Sequence, residues 1–242
     1  MRKSLIAIFI LISATSEAQV NPITVGQSFR QYATTTNNTN SNNYNNSLIV
    51  FTPKEDTEGS PYLFKDWAKG TVVLITKQKF VEPSFVLNYD KMTGKLVMKI
   101  DAQKIVEIEM EQIESFILED STSSYSFSTL KQTPSKFLIR LHSDSTLSFY
   151  KRIETRFYKS DYVNKGLYES GYKYDRYVDD VFYYFTRQDK TVVLHQVNKS
   201  EMKKLAELYP AVQEFIKTKG LPEQSNREAF LLDLAAFISN TK

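Results

Sequence analysis

The chain has no cysteine, which excludes a disulfide framework, thiol chemistry and a lipidated cysteine after a leader. It has only two histidines, His142 and His195, far apart in the sequence and both in strand-like stretches. Neither stands in a nucleophile context of the G-x-S-x-G kind, and two histidines supply no H-x-x-x-H metal signature. A phosphate-binding loop, a dinucleotide glycine pattern and a zinc ribbon are all missing, so no cofactor is expected. Net charge is only +3, too weak to predict nucleic acid or an anionic membrane as a partner. Long apolar runs are absent too. Leu5 to Ile12 is eight residues, about 12 Å as a helix against a hydrocarbon core of about 30 Å.

That short run lies between Arg2-Lys3 and the small-residue site Ser16-Glu17-Ala18, the pattern of a secretory leader over residues 1–18. Cleavage after Ala18 would leave 224 residues with no spanning segment. Because Arg2, Lys3 and Glu17 leave with it, net charge would fall to +2. Residues 19–47 contain the tract ATTTNNTNSNNYNNS, which buries too little apolar surface to offset its ordering entropy and reads as a flexible spacer. An exported chain without disulfides must then be held by its core.

The core signal is strongest from Gly70 to Leu118. Leu96, Met98 and Ile100 alternate with polar neighbours such as Lys95 and Lys99, and Val106, Ile108 and Met110 alternate with Glu107 and Glu109. A period of two is what a half-buried strand requires. Asp90 to Gly94 reads as a hairpin turn closed by a glycine, and Asp101 to Lys104 as a second polar break. Leu48 to Phe51 is a candidate edge strand, and Pro61 to Trp67 a single helical turn plugging one end of the sheet. Glu119 to Ser135 reads as a Ser/Thr-rich loop. Phe137, Ile139 and Leu141 then start a strand, followed by strands over Thr146–Tyr158, Val181–Arg187 and Thr191–Val197.

After Val197 the period changes to that of helices. Asn198 with Glu201, and Ser225 with Glu228, have capping-box spacing. Pro210 opens a helix that Gly220 stops, and Phe230, Leu231, Leu234, Phe237 and Ile238 line one face of the last. The expected fold is therefore mainly β of the α+β kind: an antiparallel meander forming a partial barrel or roll over 48–197, with C-terminal helices, 198–242, packed on the same domain.

Among groups able to do chemistry, Glu107, Glu109 and Glu111 are expected on one strand face, and Asp175, Asp179 and Asp180 would cluster if helical. The latter spacing departs from the D-x-D-x-D-G calcium loop, so no metal site is assigned. No catalytic residue is assigned either. The unusual composition lies between Phe157 and Phe185, which holds eight of the fifteen tyrosines. Its charges nearly balance, which argues against a stacking platform for nucleic-acid bases. Tyr162, Tyr168, Tyr172, Tyr174 and Tyr177 are the candidate partner-binding residues, because tyrosine offers contact area at low side-chain entropy.

The order Ser60-Pro61-Tyr62-Leu63, Trp67, Gly70-Thr71-Val72 and then Leu87-Asn88-Tyr89-Asp90 resembles a broad group of largely uncharacterised exported β-rich bacterial proteins. The likeness covers residues 58–240 and departs in the Asn/Thr spacer and the tyrosine-rich insertion. It implies a β-rich fold and a Gram-negative envelope or secreted setting, and it brings no catalytic residues. The function expected is a non-catalytic envelope or secreted binding module for an envelope protein or glycan. The alternatives are a carrier of a lipid or other apolar ligand in the curled sheet and a small hydrolase using acidic residues such as Glu107, Glu109 or Asp179.

Overall fold

From Ile113 onward the chain mostly runs as antiparallel neighbours joined by tight turns: Ile113–Glu119 with Ser124–Leu130, Ser124–Leu130 with Thr133–Ser143, Thr133–Ser143 with Ser148–Tyr158, and Arg176–Arg187 with Lys190–Leu194. The computed structural model describes residues 56–81, 86–99, 105–108, 110–166 and 168–241. The leader, the spacer, the Leu48–Phe51 run and the Asp101–Lys104 break lie outside them. Strands β1 (Lys69–Leu74), β2 (Lys79–Val81), β6 (Ile113–Glu119), β7 (Ser124–Leu130), β8 (Thr133–Ser143), β9 (Ser148–Tyr158), β12 (Arg176–Arg187) and β13 (Lys190–Leu194) form one antiparallel sheet. Its order is β13-β12-β9-β8-β7-β6-β1-β2, so β13 and β2 are its two edges and it does not close into a barrel. A second sheet, β3 (Val86–Asp90), β4 (Lys95–Lys99) and β5 (Ile105–Glu107), is the predicted meander.

One face of the large sheet carries almost all the core. On its β1–β8 half, Val72, Phe116, Phe127, Phe137 and Ile139 meet Leu87, Leu96, Met98 and Val106 of the small sheet. On the β9–β13 half, Phe149, Tyr183, Phe185 and Leu194 meet helices α1 (Lys199–Leu208), α2 (Ala211–Lys219) and α3 (Arg227–Asn240). Leu141 packs against both groups, so the two halves share one continuous floor. Stacked rings anchor each half: Phe116 on Phe127 and Phe149 on Phe185, both with centroids 4.3 Å apart. Among the described residues no helix is long and apolar enough to cross a membrane.

Several expectations need correction. Residues 61–67 form bends, not a helical turn, because tertiary hydrogen bonds claim their backbone. The buried Asn88 side chain accepts from Phe64 N at 3.2 Å and donates to Phe64 O at 3.0 Å and Asp66 O at 3.2 Å. Leu63 N and Ala68 N donate to Tyr89 O and Leu87 O. That strap covers the outer face of the small sheet, so Val97, the register partner of Asn88, is buried where only polar neighbours were expected. The presumed loop 119–135 contains β7, in which Phe127 is buried while Ser124, Ser126 and Ser128 take the opposite face. Glu111 sits in a one-turn 3₁₀ helix (Met110–Gln112), off the strand that carries Glu107, so these two share no strand face; Glu109 lies outside the described residues. Asn198 does cap α1, its Oδ1 accepting from Glu201 N at 2.9 Å, but Ser225 does not cap α3. A 3₁₀ turn (Gln224–Asn226) runs directly into that helix and puts Asn226 at the cap.

Candidate functional site

Strands β9 and β12 pair without interruption from Thr186↔Ser148 to Arg176↔Tyr158, and the chain between them projects as a tip over 159–175. At its end β10 (Val163–Asn164) pairs with β11 (Glu169–Ser170). Short polar side chains hold this tip in shape. Asp161 Oδ1 accepts from Tyr172 N at 2.7 Å, and Asp175 Oδ1 accepts from Ser160 N at 2.8 Å. Ser160 Oγ lies 2.9 Å from the carbonyls of both Tyr172 and Lys173. Gly171 has φ +84°, and any Cβ there would overlap the Asp161 carbonyl, so this close crossing requires glycine.

The candidate tyrosines divide between two environments. Tyr168 is 78% exposed, Tyr172 53% and Tyr174 36%, whereas Tyr177 is 8% exposed and Tyr162 half-buried. Tyr177 packs on Phe157, and its N–H donates to Glu58 O. It belongs to the base of the tip and offers little contact area. Tyr183 and Tyr184 are core. Burial first, and then the Glu228 carboxylate that accepts its hydroxyl proton at 2.9 Å, push the Tyr183 phenol up.

Two cations complete the exposed group. The Arg176 guanidinium carbon lies 3.2 Å from the centroid of Tyr172 and 5.4 Å from that of Tyr158, and Lys173 Nζ is 5.4 Å from Tyr174. Flat guanidinium–ring stacking of this kind leaves the N–H edges of the arginine available. Tyr158 and Arg176 were missed as site residues because their adjacency depends on the β9–β12 register. The usable signal was an aromatic and an arginine flanking the tyrosine-rich insertion.

The groups that could support catalysis are otherwise engaged. His142, Asp144 and Ser239 do meet, which the sequence did not suggest, with His142 Nε2 2.9 Å from Asp144 Oδ2 and 3.0 Å from Ser239 Oγ. A proton relay needs carboxylate and serine on opposite ring nitrogens, and here both meet Nε2. Ser239 Oγ also lies 3.0 Å from Ala235 O, and Asp144 Oδ1 accepts from Thr146 N and Leu147 N in the β8–β9 turn. Hydrogen bonds from Ser239, then His142, then those two amides hold the Asp144 carboxyl well below the usual range. The cluster ties the end of α3 to that turn.

Asp175, Asp179 and Asp180 do not cluster: Asp175 precedes β12, and within that strand Asp179 and Asp180 take opposite faces. Asp179 accepts from Lys91 Nζ at 2.9 and 2.8 Å and from Thr155 Oγ1, while Asp180 pairs with Arg156 at 3.0 Å. His195 stacks on Phe182, with Nε2 3.9 Å from Asp180. Glu107 pairs with Lys95. Among the described residues no three His, Asp or Glu gather in a way that could hold a metal ion. The chain matches no family model, no curated protein and no solved structure.

Proposed function

We propose that this chain is an exported, non-catalytic recognition module of the envelope or the secreted fraction, and that it contacts a glycan or an envelope protein through the tip between β9 and β12. The observation that carries the reading is the conjunction at residues 158–176 of four exposed tyrosines, Tyr158, Tyr168, Tyr172 and Tyr174, with an internally braced backbone. Large rings held outward on ordered chain bind at low entropic cost, which is how tyrosine-rich binding loops work. The leader-like N-terminus and the likeness to exported β-rich bacterial proteins support the setting.

The test is the triple variant Tyr168→Ser, Tyr172→Ser, Tyr174→Ser. Its melting temperature should match the parent's, because these rings lie outside the apolar clusters. Binding to an immobilised array of envelope glycans, measurable for the parent, should be lost. A variant that fails to fold would make the rings structural, and one that folds and still binds would place recognition elsewhere.

A further inference from the structure

The tip does not end at Tyr158. By register, Tyr150, Arg152, Glu154, Arg156 and Tyr158 of β9 lie on the same face as Tyr184, Phe182, Asp180, Val178 and Arg176 of β12. Arg140 of β8 is the partner of Tyr150 on that face. This is the face opposite the small sheet and the helices. Among the described residues its apolar cluster, Leu130, Leu138, Tyr150 and Tyr184 with Phe182 beside it, comes wholly from strands of the sheet itself. From Tyr150 to Tyr158 the stripe is about 27 Å long, at about 3.4 Å per residue.

Its charge is one-sided. Four basic side chains, Arg140, Arg152, Arg156 and Arg176, stand against two acidic ones, Glu154 and Asp180. Both carboxylates are paired, Glu154 with Arg152 at 2.5 Å and Asp180 with Arg156. The two outer arginines are different. Among the described residues Arg140 donates to a neutral hydroxyl, Ser126 Oγ at 3.0 Å, and Arg176 lies on aromatic rings. Ser124, Ser126 and Ser128 of β7 add a row of hydroxyls on this face.

We infer that this stripe, from Arg140 across β9 to Arg176 and Tyr172, binds an extended acidic polysaccharide, with Arg140 and Arg176 taking its carboxylate or sulfate groups. The inference rests on the recognition reading above and supplies the ligand class. Widely spaced planar cations suit sparse anionic groups held bidentately. Nucleic acid carries a far denser charge, and its phosphates would meet Glu154 and Asp180 at mid-stripe. A sugar chain presents hydroxyls there instead, which those carboxylates and the serine row can accept or match. Exposed Tyr158 and Tyr172 give its apolar ring faces a surface.

The experiment titrates the full chain with polygalacturonate, heparin, uncharged dextran, a single-stranded DNA oligonucleotide and phosphatidylglycerol vesicles. One or both acidic polysaccharides should bind, dextran should not, and affinity should fall with salt. The pair Arg140→Gln and Arg176→Gln should weaken binding by about tenfold or more, while Lys203→Glu on α1 should leave it unchanged. Should the pair fold poorly, Arg140→Gln alone carries the comparison. No binding of either acidic polysaccharide, tighter binding of DNA or vesicles, or indifference to the arginine changes overturns the inference. Tyrosine-dependent binding of dextran that ignores the arginines would overturn it while sparing recognition by the tip. Arginine-dependent binding that survives loss of the three tyrosines would do the reverse.

Discussion

A single buried amide decides the conformation of the segment before β1. Asn88 is 3% exposed, and its side chain satisfies Phe64 N, Phe64 O and Asp66 O while bonding its own strand at Tyr89 N. Leucine there would strand these backbone groups away from water, at about 1–3 kcal/mol for each group left unsatisfied. We expect Asn88→Leu to lower stability by about 2–4 kcal/mol in urea melts, with an unchanged value arguing that water replaces the amide. Asp144 makes a prediction of the opposite polarity. Its folded pKa is depressed, so its contribution is present above the unfolded value near 3.9 and is lost as pH falls below it. The parent should therefore lose stability on acidification below about pH 4, and Asp144→Asn should show a shallower loss over that range while being less stable at pH 7. Parallel acid profiles for the two proteins would remove Asp144 from the acid transition.

Among the elements, the helices separate what capping contributes from what packing contributes. Asn198 holds the first turn of α1 directly, so Asn198→Ala should cost about 1 kcal/mol, whereas Ser225→Ala, inside a 3₁₀ turn, should cost nearly nothing. Leu234 is fully buried in α3, and Leu234→Ala should cost about 2–5 kcal/mol in denaturant melts. A costly Ser225→Ala would show that the cap lies one residue earlier than Asn226. These cases also show what the sequence could disclose. Leu234 was legible because a helical stripe needs only local spacing. Ser225 was not, because two adjacent residues can both cap and the preceding turn chooses between them. The sequence of β7 reads as a loop although Tyr125, Phe127 and Thr129 alternate with Ser124, Ser126 and Ser128. Serine on the open face of a strand gives a weaker polar signal than the lysines and glutamates that marked β4 and β5. The tyrosine tip was legible as composition, but Tyr177 was not separable from Tyr172. One is buried by contact with Glu58 and Gly59 from far away in sequence, which no local pattern records.

At the scale of the whole molecule, two apolar groups stand on one sheet, and their coupling is the remaining question. Leu141 touches both. Glu228 at the start of α3 reaches Lys151 Nζ at 2.6 Å and the Tyr183 hydroxyl at 2.9 Å, tying the helices to β9 and β12. From the other side Lys91, 8% exposed, crosses from the β3–β4 turn to Asp179 on β12, and Thr155 N donates to Lys91 O. Each half therefore grips the same two strands. Trp67, the only tryptophan, stands in the half formed by the small sheet, with Lys99 Nζ 5.9 Å from its ring. Its fluorescence reports that half, and helical ellipticity at 222 nm reports the other. We expect the two urea transitions to coincide, as two-state unfolding requires, and Leu234→Ala to move both midpoints by the same amount although Leu234 packs only in the helical group. A Trp67 transition that stays in place while the helical one shifts would mean that the sheet joins two independently stable bodies.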